Sequence, residues 1–125
     1  MNNFYEKEKD ILKAITDYLS LLENQKKLYF VRVGSGGIKT EAGNWVRTGR
    51  PGCPDIIICL KCGEYGIMVG WEVKTEKGKL SSAQEKTKVD IENLGGYYFV
   101  IRNLEDSTQS IKYVREKVLN LQKDF

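Results

Sequence analysis

Histidine is absent from this chain of 125 residues. That excludes Ser-His-Asp and Cys-His catalysis, and every mechanism that uses imidazole as a base or a metal ligand. An enzyme made from this sequence must work with Asp, Glu, Lys, Tyr, Ser or Cys. Cysteine is scarce as well. Cys53, Cys59 and Cys62 are the three present, an odd count and a poor disulfide framework. Cys59-x-x-Cys62 with Cys53 invites a zinc reading. A structural zinc centre takes four ligands, so a carboxylate or a second copy of the chain would have to complete one. Cys53 and Cys59 read better as small residues in or near the core. No apolar run approaches the ~18 residues that cross a bilayer. The opening residues, Met1 to Glu8, lack the basic and then apolar pattern of a secretory signal. A cytoplasmic protein with reduced thiols is the expectation.

Composition is otherwise that of a globular chain, 41% hydrophobic and 30% charged, so one domain with a sizeable core is expected over 1–125. The net charge of +3 permits a nucleic-acid partner without requiring one. The positive charge is unevenly placed. Between Lys26 and Arg50 six basic residues (Lys26, Lys27, Arg32, Lys39, Arg47, Arg50) face one acid, Glu41. This Gly-rich stretch, which also carries Trp45, suits contact with a phosphate backbone, although a solvated loop would look similar. It is not a P-loop, because no Gly-Lys-Ser/Thr follows a strand at the required offset. Lys77 and Lys79, in a second charged turn around Gly78, are further candidates for backbone contact.

Periodicity places the elements. Residues 4–24 carry Ile11, Ile15, Tyr18, Leu19 and Leu22 on one helical face, with Glu6, Glu8 and Asp10 near the positive end of the dipole. Leu28 to Val33 reads as a strand, and Trp45-Val46 as a short one. Asp55 to Leu60 and Ile67 to Lys74 read as an antiparallel hairpin joined by a loop of several residues. Ser81 with Gln84, or Ser82 with Glu85, offers a capping box for a helix that runs to about Leu94 and stops at Gly95-Gly96. Tyr97 to Ile101 reads as a strand parallel to the second hairpin strand. A closing helix after Ser110 would use Ile111, Val114, Val118 and Leu121 as its apolar face. The expected class is α/β, a mixed β-sheet flanked by helices.

The chemistry gathers at the hairpin. Asp55 opens its first strand and Glu72-Val73-Lys74 closes its second, 17 residues after Asp55, so the turn returns both acids to one end of the sheet. Strand alternation puts Glu72 and Lys74 on the same face and Val73 on the other. Two neighbouring carboxylates repel, and a divalent cation relieves that repulsion. Mg²⁺ or Mn²⁺ prefers such hard oxygens, and the Val73 backbone carbonyl could join Asp55 and Glu72 as a ligand. Lys74 is then placed to orient or deprotonate a water. A buried Asp/Glu/Lys salt bridge is the alternative reading of the same residues. Trp71, Tyr97 and Tyr98 read as core residues, and Trp45 as the aromatic placed to stack on a base.

Three motifs change the weighting. Gly52-Cys53-Pro54-Asp55 precedes an apolar strand, Glu72-Val73-Lys74 ends the next strand, and Leu80-Ser81-Ser82-Ala83-Gln84 opens a helix. Upstream lies Glu8-x-x-Ile11-x-x-Ala14-Ile15-x-x-Tyr18-Leu19. As a set, these resemble the PD-(D/E)XK nuclease superfamily, and within it the VRR-NUC branch and its small stand-alone phage-type members. The resemblance runs from about Glu8 to Val100. It implies a restriction-endonuclease-like α-β-β-β-α-β core, here followed by a C-terminal helix, and Mg²⁺- or Mn²⁺-dependent hydrolysis of DNA phosphodiesters. It also implies Asp55 and Glu72 as metal ligands, Lys74 as the water-activating residue, Gln84 as a helper from the following helix and Glu8 as an acid from the first. A homodimer cutting branched DNA such as four-way junctions, in a bacterial or phage-infected cell, is the partner expectation. The rivals are a catalytically silent DNA-binding module and an interaction protein whose Asp55, Glu72 and Lys74 form a structural cluster.

Overall fold

The computed structural model describes residues 7–33, 37–47 and 49–123. The elements run α1 (Glu8–Asn24), β1 (Leu28–Arg32), β2 (Gly37–Lys39), β3 (Trp45–Arg47), β4 (Ile56–Cys62), β5 (Tyr65–Val73), α2 (Ser82–Asn93), β6 (Tyr97–Ile101) and α3 (Leu104–Lys123). Four strands form the main sheet in the order β1-β4-β5-β6. β1/β4 and β4/β5 are antiparallel, and β5/β6 is parallel. Leaving aside the small β2/β3 hairpin, the order is the expected α-β-β-β-α-β with a closing helix.

One face of the sheet carries the core. Strand alternation turns Ile56, Ile58, Leu60 and Cys62 of β4, and Val69, Trp71 and Val73 of β5, toward α1 and α3. α1 contributes Ile11, Ile15 and Leu19, and α3 contributes Ile111, Val114 and Val118. These helical residues recur at three- and four-residue spacing because that spacing keeps side chains on one stripe. Each fully buried Ile, Leu or Val contributes roughly 1.5–3 kcal/mol relative to exposure. The opposite face bears α2, which has no buried residue of its own. Among the described residues no helix is long and apolar enough to cross a membrane.

Helix ends follow local chemistry. α1 closes in a Schellman-type turn: Lys26 adopts φ +60, the Lys27 N–H donates to Leu22 O at 3.0 Å, and the Lys26 N–H donates to Glu23 O at 2.9 Å. α2 ends the same way around Gly95, with Gly96 N–H donating to Ile91 O. α2 begins with the full capping box of Ser81 and Gln84.

Several boundaries differ from the sequence reading. The helix α1 starts at Glu8, after Lys7 in an extended conformation; residues 4–6 lie outside the described residues. The β4/β5 loop is two residues, Gly63 and Glu64, rather than several, because Cys62 pairs with Tyr65 and both strands lengthen. α3 begins at Leu104 instead of after Ser110. Its first turns are silent in apolar periodicity because small buried serines replace hydrophobes: the Ser107 and Ser110 hydroxyls donate to Asn103 O and Ser107 O. The Asn103 side chain caps the helix by accepting from the Asp106 N–H at 2.8 Å. Leu121 is exposed, past the reach of the core. Cys59 is also exposed, since β4 alternation sends it away from the core that holds Cys62. The two cysteines therefore lie on opposite faces of the sheet and cannot share one metal.

Candidate active site

A cavity of about 270 Å³ opens where β4 begins and β5 ends, and Glu8, Arg50, Asp55, Glu72, Lys74 and Gln84 all line it. Two close approaches set its walls. Gly52 has φ +83, and a Cβ there would run into the Ala83 carbonyl and the Thr87 hydroxyl. The segment before Asp55 therefore lies flat on the first turns of α2, which only glycine permits. Pro54, buried, rests on Gly70 of β5, where a Cβ would stand 2.8 Å from Pro54 Cγ.

Asp55 is locked at both ends. Its carbonyl accepts from the Val33 N–H at 2.8 Å, and its Oδ2 accepts from the Val73 N–H at 2.7 Å. The second bond ties the acid of one strand to the backbone between Glu72 and Lys74. Glu72 is 3% exposed, and its Oε1 is buried without a hydrogen-bond partner among the described residues. Its carboxyl is pushed up to about 8. Burial is the main cause, followed by the hydrogen bond to Asp55 and the Asp55 charge; Glu8 adds to the rise and Lys74 opposes it. A carboxylate whose ionisation is opposed by its own surroundings is the environment a cation would relieve.

Lys74 continues the sheet by donating its N–H to Ile101 O at 3.1 Å, and its half-buried side chain lines the cavity. Among the described residues no ion pair joins Lys74 to Asp55 or Glu72. Gln84 holds two positions at once. Its Oε1 accepts from the Ser81 N–H at 2.9 Å, which fixes the amide and leaves Nε2 as a donor beside the cavity. Glu8, the first residue of α1, also lines the cavity.

The basic candidates divide. Arg50 lines the cavity. Lys39 is exposed on β2 and is not among the residues that line it. Lys77 and Lys79 are exposed in the β5–α2 connection. The side chains of Arg47 and Trp45 lie outside the described residues. The β5–α2 connection is fastened by Arg102, whose guanidinium Nη1 donates to Thr75 O at 2.6 Å, Gly78 O at 2.8 Å and Glu76 O at 3.1 Å.

Three residues of this region were given no site role by the sequence reading, which placed Cys53 and Tyr98 in or near the core and passed over Arg102. Cys53 lies on the cavity wall, where burial and the Glu72 and Asp55 charges raise its thiol above its ordinary value. Tyr98 is buried beside Glu72. Arg102 is the loop clamp. Cys53 is signalled by its place inside the Gly-x-Pro-Asp motif, but the other two depend on β5/β6 register, which no local pattern encodes.

The donor set fits a hard divalent cation. Asp55 and Glu72 supply carboxylate oxygens, one of them an unpartnered buried atom, and the Val73 carbonyl is a third oxygen on the same stretch. Among the described residues no group of three or more Cys, Asp or Glu is placed to hold a metal ion, so any cation here would rest on Asp55 and Glu72 with water or substrate oxygens. No protein-family model, curated protein or solved structure matches the chain.

Proposed function

We propose that this protein is a divalent-metal-dependent DNA endonuclease of the PD-(D/E)XK type, hydrolysing phosphodiesters in branched DNA as a homodimer in the cytoplasm of a bacterial or phage-infected cell. The observation that carries this reading is the buried Glu72 carboxylate, its Oε1 unpartnered, held against Asp55 in a cavity that also receives Lys74 and Gln84. A structural salt bridge would pair Lys74 with one of the acids, and that pairing is missing among the described residues.

Each residue has a task its surroundings suit. Asp55 and Glu72, with the Val73 carbonyl, would hold Mg²⁺ or Mn²⁺. The bound ion would supply Lewis acidity at the phosphate and acidify the attacking water. Lys74 orients that water or takes its proton and offsets charge on the phosphorane. Gln84 Nε2 donates to the water or to a phosphate oxygen, since its acceptor is committed to the cap. Arg50 at the cavity wall, together with Lys39, Arg47, Lys77 and Lys79, would hold the DNA backbone. The preference for branched DNA rests on the sequence resemblance; two sites related by a two-fold axis would match a two-fold-symmetric junction.

The test is cleavage of labelled four-way junctions, flaps and linear duplex with Mg²⁺, Mn²⁺ or chelator. Metal-dependent cutting is expected, strongest on branched substrates, with Lys74→Ala slower by about 10²–10⁴-fold. No cutting of any substrate by the wild type, or a Lys74→Ala variant as fast as wild type, contradicts the reading.

A further inference from the structure

Tyr98 is a buried phenol with no visible use for its hydroxyl. The residue is 2% exposed, and its OH has no hydrogen-bond partner among the described residues. Leaving a buried hydroxyl unpaired costs free energy that phenylalanine would avoid while filling the same space. The second orphan on this face of the sheet is Glu72 Oε1. The two belong to the same place. In the parallel β5/β6 register Tyr98 pairs with Gly70, two residues before Glu72 and on the same face. The missing side chain at Gly70 makes room there. A Cβ at that position would lie 3.7 Å from Tyr98 Cδ2 and 2.8 Å from Pro54 Cγ, so the ring and Pro54 converge over the glycine. The register sets the phenol on the Glu72 side of the sheet, where the Glu72 and Asp55 charges and the Cys53 thiol bear on it.

We infer that Tyr98 is a positioning residue for the cation site: its hydroxyl donates to the Glu72 carboxylate, holding one oxygen and leaving the other for the ion. The inference rests on the metal-site reading of Asp55 and Glu72. It explains why two unsatisfied polar groups are buried side by side. Each would be the other's partner once a cation is bound, where a carboxylate accepts two contacts and the phenol supplies one of them.

Calorimetric titration of Mn²⁺ into wild type and Tyr98→Phe, beside thermal unfolding of both without metal, is the experiment. The expected result is Mn²⁺ affinity about tenfold weaker in Tyr98→Phe, with a metal-free unfolding temperature equal to or above wild type because only an unpaired hydroxyl has been removed. A purely structural Tyr98 would show the reverse, with lowered unfolding temperature and unchanged affinity, and that overturns the inference. Equal affinity in a variant of unchanged stability overturns it too, while leaving the metal site in place. Failure of wild type to bind Mn²⁺ overturns the metal-site reading and this inference with it. Loss of the fold in Tyr98→Phe would also count against the inference, and Tyr98→Leu, which removes ring and hydroxyl together, then serves as the structural comparison.

Discussion

The two faces of the main sheet are built to opposite rules. On the face covered by α1 and α3, Ile15, Leu19, Ile56, Ile58, Leu60, Val69 and Val114 are fully buried and apolar, and Trp71 is fully buried with one unpartnered polar atom, its indole N–H. On the face covered by α2, the buried positions include Glu72, Tyr98, Pro54 and Gly70, and two of them carry unsatisfied polar atoms. α2 itself buries nothing completely. A fold can hold poorly solvated carboxylates on one side only if the other side supplies surplus stability. The division of labour is the lesson: substitutions on the first face should cost stability, and substitutions on the second should cost activity while costing stability little or nothing.

The largest expected effect that could break this contrast is on cleavage. Glu72→Gln should abolish metal-dependent cutting while the variant remains folded; an unfolded Glu72→Gln would mean that the two faces are not separable. Next, Trp71→Ala, one residue along the strand but facing the core, should lower stability by about 3–5 kcal/mol in denaturant unfolding, and any loss of cutting should follow the loss of folded protein. A pH series sharpens the comparison further. The Glu72 carboxyl sits at about 8 in the fold against an ordinary value of 4.5. Between these values the folded state holds a proton that the unfolded chain has released, so metal-free stability from this group is fully present below 4.5 and is lost as pH rises toward 8. Glu72→Gln should flatten that slope, and metal-free unfolding from pH 5 to pH 9 measures it.

Arg102→Ala lies between the two faces in effect. It frees the carbonyls of Thr75, Glu76 and Gly78, and should cost about 1–3 kcal/mol and weaken DNA binding through the Lys77–Lys79 connection more than it slows the chemical step. A gel-shift and single-turnover comparison separates the two. The smallest effect is expected on the outer side of α2. Lys86→Ala removes an exposed i,i+4 pair with Asp90, worth about 0.3–0.5 kcal/mol.

Much of this contrast could be read from the chain. The apolar spacing of α1 named its core stripe, and alternation through Glu72-Val73-Lys74 put the acid and the amine together on one face. The Gly52-to-Asp55 motif and the capping box of Ser81 and Gln84 are local devices, and the structure brings Glu8, Asp55, Glu72, Lys74 and Gln84 to one cavity. What the chain did not reveal depends on long-range register or on polar substitutes for apolar signal. Tyr98 shares a sheet face with Glu72 only because β6 pairs with β5 at Gly70. Arg102 reaches carbonyls 24 to 27 residues back. The start of α3 is hidden because Ser107 and Ser110 are buried where hydrophobes would have marked the helix. Cys59 was misplaced for a simpler reason: an unbroken apolar run along β4 hides which alternate residues face outward.

The most direct test of the central claim is thermal unfolding of wild type and Glu72→Gln at pH 8, each with and without saturating Mn²⁺. A cation site predicts that Mn²⁺ raises the unfolding temperature of wild type, as any ligand bound only by the folded state must. It also predicts that Mn²⁺ leaves Glu72→Gln unmoved and that the metal-free variant unfolds at or above the wild-type temperature. A Glu72→Gln variant that unfolds well below wild type without metal, or a wild type indifferent to Mn²⁺, would contradict the account and return Asp55, Glu72 and Lys74 to a structural role.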